Sequence, residues 1–207
     1  SARSSYSGII DLAGFKKDRF YQYQARWRPD FPMVHILPHW NWKKGMNIPV
    51  YVYTNCYEAE LFLNGKSLGK KSKQNDDLHI SWRIKFEPGT LKAISRKDGK
   101  VVLEKEIHTA GIASKIALAG DKQTIKNDTY DLVYVTVSIT DKDGNLISNA
   151  NDLINFEVKG GGKLVGVDNG YQAGLDSFKA KSCKVYNGKC IVIIQSNGKK
   201  EKIQLKA

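Results

Sequence analysis

The residues best suited to meet a ligand are two tryptophans two positions apart, Trp40 and Trp42, in His39-Trp40-Asn41-Trp42. On an extended strand, positions i and i+2 point to one face, and a pair of exposed indoles stacks on sugar rings. The competing use of the same pair is to fill the junction between a leading helix and the first β-domain, because tryptophan is mostly buried on average. A second candidate is the polar loop that opens with Val167-Asp168-Asn169-Gly170-Tyr171 and runs to Ser177. It is the longest stretch between expected strands in the C-terminal half, and long loops on rigid scaffolds often carry contacts. Asp168 and Asn169 are its candidate sugar contacts.

Chemistry beyond contact finds little support. Glu58 and Glu60 are a close carboxylate pair pointing one way, but no histidine accompanies them. A two-carboxylate hydrolase needs its groups held across a cleft, one of them with a raised pKa. Asp141-Lys142-Asp143-Gly144-Asn145 superficially suggests calcium, yet its glycine comes two residues too early for an EF-hand loop and no glutamate closes it; a turn is expected there. Gly160-Gly161-Gly162-Lys163 lacks the Ser/Thr and the spacing of a phosphate loop, and is read as a bulge or tight turn. The four histidines (His35, His39, His79, His108) show no ligand spacing with cysteine. No catalytic, metal or cofactor residue is assigned.

Cys183 and Cys190 flank the turn Tyr186-Asn187-Gly188-Lys189. A two-residue hairpin there makes the thiols diagonal neighbours on one face, roughly 7–8 Å apart at Cα, where bridging is unfavourable. They are expected to be core thiols.

The net charge of +12 invites a nucleic-acid reading, but 27 of the 33 basic residues are lysine. Groups that read bases or clamp phosphates are usually arginines, whose planar fork bonds in pairs. Scattered lysines protect exposed strand edges instead, so neither nucleic acid nor membrane is an expected partner. No apolar run approaches the ~20 residues of a membrane helix, and Ser1–Asp11 does not read as a signal peptide.

The elements that position these residues are mostly strands. Asn64-Gly65, Asp98-Gly99, Asp143-Gly144 and Asn187-Gly188 lie beside apolar-alternating runs, and such dipeptides supply the positive φ angles of hairpin turns. Seven strands are expected between Met33 and Thr109 and seven more between Ala113 and Ala207, joined by a short linker, Ala110-Gly111-Ile112. Trp82, alternating with polar neighbours, is expected in the first core. The fold class is all-β: two tandem immunoglobulin-like sandwiches over 31–110 and 111–207. In front of them, residues 1–30 hold a strand end and one amphipathic helix with Lys16, Phe20, Tyr23 and Trp27 on one stripe; Pro29 and Pro32 end it. An isolated helix before an all-β chain suggests the tail of a preceding domain.

The run from Ser4 through Gly8-Ile9-Ile10-Asp11-Leu12-Ala13-Gly14-Phe15-Lys16-Lys17-Asp18 to Tyr21 resembles the end of the catalytic barrel in family 2 glycoside hydrolases, in the Bacteroides-like β-galactosidase branch. Leu37-Pro38-His39-Trp40-Asn41-Trp42, Val52-Tyr53-Thr54-Asn55-Cys56 and Glu60-Leu61-Phe62-Leu63-Asn64-Gly65 are similar to the immunoglobulin-like domain that follows that barrel. Ala110-Gly111 onward, with Gly166-Val167-Asp168-Asn169-Gly170, is similar to a further C-terminal bacterial-Ig-like domain. The chain departs from the family pattern after Gly170, reading Tyr171-Gln172-Ala173-Gly174-Leu175 in place of an acidic loop. The resemblance implies that residues 1–30 are a remnant of the (β/α)8 barrel and that the catalytic glutamates lie upstream, since a whole barrel needs about 250 residues. It implies a non-catalytic region that braces its parent enzyme's barrel, with no cofactor. Glycan and a second copy of the full-length enzyme are the other partners to be considered. The implied location is periplasmic or extracellular. A stand-alone carbohydrate-binding or adhesion module is the alternative.

Overall fold

Ten residues, Asp18–Trp27, form α1, the only helix among the described residues, which a computed structural model gives as 6–74 and 76–207. Ser4 and Ser5 of the barrel-like run lie outside them. Asp18 in the first turn and Arg26 in the last complement the helix dipole, and Arg28 N–H closes the final turn on Gln24 O before Pro29. Tyr23 and Trp27 stack one turn apart, 4.7 Å between centroids and 3° between planes, and the Lys16 ammonium lies over Phe20. No α1 residue is buried, and Trp27 is 68% exposed. The strand end expected before the helix is instead a turn: Asp11 accepts Phe15 N–H through Oδ1, and its own N–H donates to Phe15 O.

The described residues before Lys16 group with Gly111–Ala207 into one compact unit, and Lys16–Ala110 form the other. In the latter, seven strands follow α1: β1 (Val34–Leu37), β2 (Asn47–Thr54), β3 (Glu58–Leu63), β4 (Lys66–Ser72), β5 (Ile80–Lys85), β6 (Thr90–Lys97) and β7 (Lys100–His108). They make two antiparallel sheets, β1-β2-β5 and β4-β3-β6-β7. Alternation decides the core. Ile48, Val50 and Val52 of β2, Ala59 and Leu61 of β3, Ile80 and Trp82 of β5, and Leu91 and Ala93 of β6 all face inward and are buried.

Helix and sheet are tied by a side chain that looks unremarkable in the sequence. Asn55 donates to the carbonyls of Arg28 and Phe31, and its Oδ1 accepts Met33 N–H at 3.1 Å. Asp18 Oδ1 and His35 Nε2 add a hydrogen bond at 2.8 Å, with the His35 ring stacked 3.9 Å from Tyr21. Asn55→Ala leaves three backbone groups to find water; the expected cost is about 1–3 kcal/mol, read as a fall in Tm.

The second unit has β8 (Lys115–Gly120), β9 (Leu132–Thr140), β10 (Leu153–Asn155), β11 (Glu157–Lys159), β12 (Gly162–Asp168), β13 (Ser182–Lys184), β14 (Lys189–Ser196) and β15 (Gln204–Lys206). A four-stranded sheet, β12-β14-β9-β8, accompanies two pairs, β10-β13 and β11-β15. The single strand expected over Ile154–Val158 is broken at Phe156, whose side chain is buried and whose N–H donates to Lys181 O, so its halves serve different pairs. Three of the four Asx-Gly turns behave as read: Asn64-Gly65, Asp98-Gly99 and Asn187-Gly188 have successive φ of 50° and 81°, 51° and 73°, and 51° and 75°.

The cysteine geometry differs from the hairpin expectation. Tyr186 and Lys189 pair as read, but the chain then crosses to the other sheet. Val185 N–H bonds Asp152 O, and Cys183 pairs with Ile154 of β10 rather than with Val192. Cys183 and Cys190 are free, buried thiols, and Cys183 Sγ–H donates to Lys184 O at 3.6 Å. The neighbouring Cys183 side chain and burial push the pKa of Cys190 upward, leaving it a neutral thiol.

Candidate functional site

The first candidate lies on the loop between β1 and β2. Residues 38–46 are not a strand, so the alternation that would set Trp40 and Trp42 side by side does not operate. Trp40 turns inward instead. It is 1% exposed, packs edge-on against Phe86 at 4.9 Å, and donates its indole N–H to Glu87 O at 3.1 Å. Its carbonyl accepts Thr109 Oγ1–H, and Asn41 Oδ1 accepts Ala110 N–H, so the loop is fixed to the end of the unit. Trp40 thus offers no ring face to a sugar in this structure. Trp42 folds back on its own loop: its indole N–H donates to His39 O at 2.7 Å and its ring stacks on His39 at 4.6 Å and 12°. It is half-buried against the first core. Burial lowers the pKa of His39, whose Nδ1 accepts Asn41 N–H, so a neutral ring carries its proton on Nε2. Trp42 and His39 therefore make one short aromatic platform.

The second candidate is a cleft of about 290 Å³ in the other unit, where Asp168, Asn169 and Lys184 meet Leu12 and Ser182. Its polar side chains are largely committed to shaping the loop. Asp168 Oδ1 accepts the N–H groups of Asn169 and Gly170; Asn169 donates to Lys184 O and accepts Tyr171 N–H. Gly170 has φ +75°, and a Cβ there would overlap the Asp11 carboxylate, so glycine is required twice over. Trp40 and Trp42 lie in the first unit and Asp168 and Asn169 in the second, each group built within its own unit.

The remaining sequence candidates resolve into structural roles. Glu58 pairs with Lys70 at 3.2 Å. Glu60 accepts Ser67 Oγ–H at 2.8 Å and pairs with Arg96 at 3.2 Å, and these partners lower its pKa. That is a charged sheet face, with nothing poised as an acid. The calcium-like turn closes on Asp141, a carboxylate 3% exposed. It accepts N–H groups from Gly111, Asp143 and Asn145 and the Asn145 side-chain amide, all at 2.8–3.0 Å. Those donors hold its pKa far below the usual carboxylate range, Gly111 N–H first. A carboxylate so surrounded by N–H groups is an Asx-turn anchor whose lone pairs are already taken. Among the described residues no group of three or more His, Cys, Asp or Glu is placed to hold a metal, and no helix is long and apolar enough to cross a membrane.

The described residues form two compact, predominantly β units with one helix. The comparisons with known proteins give the family. Residues 116–207 match "Glycoside hydrolase family 2 C-terminal domain 5", and residues 45–103 match a domain of unknown function. All 207 residues align at 50% identity with a β-galactosidase, BoGH2A, of Bacteroides ovatus, covering 24% of that protein. A putative β-glucuronidase of Formosa agariphila is 38% identical over 168 residues, 16% of its length. Among solved structures, a β-glycosidase from Bacteroides vulgatus superposes with a TM-score of 0.90 at 34% identity, over 99% of this chain and 28% of that one. A glycosyl hydrolase family 2 member from Bacteroides cellulosilyticus gives 0.91 at 30% identity, over 97% and 30%. The chain is a C-terminal region of the glycoside hydrolase family 2, and it spans about a quarter or less of the length of these curated relatives.

Proposed function

We propose that this chain is the non-catalytic accessory region of a secreted or periplasmic β-galactosidase-like hydrolase, and that it braces the parent's catalytic barrel through the aromatic stripe of α1. The observation that carries the proposal is Trp27. It is stacked on Tyr23, yet it is 68% exposed on a helix with no buried residue. Large exposed aromatic area on an ordered element marks an interaction surface. The 50% identity to a β-galactosidase supports the parent's substrate class, and the small share of that relative covered supports a larger whole. In the full-length parent, Trp27→Asp lowers Tm and leaves the chemistry of any surviving folded enzyme intact. An unchanged Tm counts against the bracing role.

A second reading, direct glycan contact, is favoured by the half-buried Trp42 platform on His39. It predicts that Trp42→Ala weakens glycan binding by the intact parent by about 1–3 kcal/mol, as expected for losing a buried ring face. Calorimetry that finds the same affinity in both proteins removes this reading.

A further inference from the structure

A further concavity in the second unit is separate from the cleft lined by Asp168 and Asn169. It is a cleft of about 780 Å³, within the size range of small-molecule sites. Its floor is apolar: Val133 and Val135 of β9, Ile194 of β14, Leu205 of β15 and Ile203 just before it. Its rim carries Lys122, Lys126, Lys199, Lys200 and Lys202 against one acid, Glu201.

Both walls are preorganised. The glycine run Gly160-Gly161-Gly162 seats the lysine loop. A Cβ on Gly160 would fall on Lys202 O, and one on Gly161 would lie 2.6 Å from Glu201 O and 2.7 Å from Lys199 O. Asn197 bonds both sides of this approach, donating to the carbonyls of Gly160 and Gly161 and accepting Lys199 N–H. The opposite wall, residues 121–127, is held by Asp131, which accepts Lys126 N–H and pairs with Lys122. Lys122 is thereby neutralised. Lys126, Lys199, Lys200 and Lys202 form no ion pair with any described residue.

Chemistry selects the ligand. No aromatic side chain lines the cleft, so sugar rings and nucleobases find nothing to stack on. A cationic rim on held loops around an aliphatic floor suits a molecule with one anionic end and an aliphatic body. We propose that this cleft binds a monomeric anionic amphiphile, its unbranched acyl chain along Val133, Ile203 and Leu205 and its carboxylate among Lys126, Lys199 and Lys202.

The test is calorimetric titration of the 207-residue chain with sodium dodecanoate below its micelle concentration, with dodecyl maltoside as the same tail on a neutral head. Saturable 1:1 binding of dodecanoate is expected. It weakens roughly tenfold for dodecyl maltoside and for the exposed double variant Lys199→Glu/Lys202→Glu, the loss of two ordinary charge-assisted contacts. Near-UV circular dichroism establishes that the variant stays folded, and Lys163→Glu, a charge reversal outside the cleft lining, leaves the affinity unchanged. No saturable binding overturns the proposal, as does equal affinity for both heads or for the Lys199/Lys202 variant. Binding only to phosphatidylglycerol vesicles, with none to free dodecanoate, also overturns it.

Discussion

Trp40→Ala destabilises the first unit by about 3–5 kcal/mol, the range for removing a large buried aromatic. Three losses coincide. The indole fills the core beside Phe86, its N–H satisfies Glu87 O, and its position fixes the backbone that receives Thr109 and Ala110 through Trp40 O and Asn41. The cavity alone costs more than any nearby surface substitution, and the freed Glu87 carbonyl adds to it. Thermal unfolding of wild type, Trp40→Ala and Trp42→Ala separates the two tryptophans: a large fall for the first and a small one for the second. Equal shifts contradict the assignment of Trp40 to the core and Trp42 to the loop surface.

Asp141→Ala has the next largest effect, and it depends on pH. The folded-state pKa of Asp141 is depressed by the N–H groups around it, and that of Asp131 is lowered to about 2, chiefly by Lys122. A carboxylate whose folded value lies below its unfolded value of about 3.9 contributes stability that is fully present above about pH 4. The contribution is lost as pH falls through the folded value. The second unit of the wild-type chain should therefore hold its Tm from neutral pH to about pH 4 and lose it steadily below, as both anchors protonate. Asp141→Ala lowers Tm at neutral pH by roughly 5–10 °C, and the gap to wild type narrows with acidification. A gap that stays constant down to pH 2 contradicts the anchor role.

These two residues also mark how far the sequence was readable. Short-range chemistry was legible: the positive-φ pairs Asn64-Gly65 and Asn187-Gly188 turn where their types require, Trp82 is buried at its alternating position, and α1 ends before Pro29. Asp141 belonged to a readable motif, because an Asp followed by Asp-Gly-Asn two to four residues later can gather their N–H groups, and the turn was read without its anchor. Trp40 was not decidable locally, since its direction depends on Glu87 and Thr109, 47 and 69 residues away. The two cysteines are the free core thiols expected, but their placement as diagonal neighbours failed for the same reason. Their hairpin turn was correct, but a bond from Val185 to Asp152 carries Cys183 to the opposite sheet. Asn55 gives no periodic signal, and the lysine cleft draws residues from Gly120 to Leu205 that no linear motif unites.

The central claim is that α1 is the face by which this region meets a catalytic partner. Hydrogen exchange over Asp18–Trp27 tests it most directly, measured in the isolated chain and in the full-length parent, with β-galactoside turnover assayed on both. Slower exchange of the helix in the parent, fast exchange in the isolated chain, and turnover by the parent alone are expected. Equal exchange in the two proteins, or hydrolysis by the isolated chain, contradicts it.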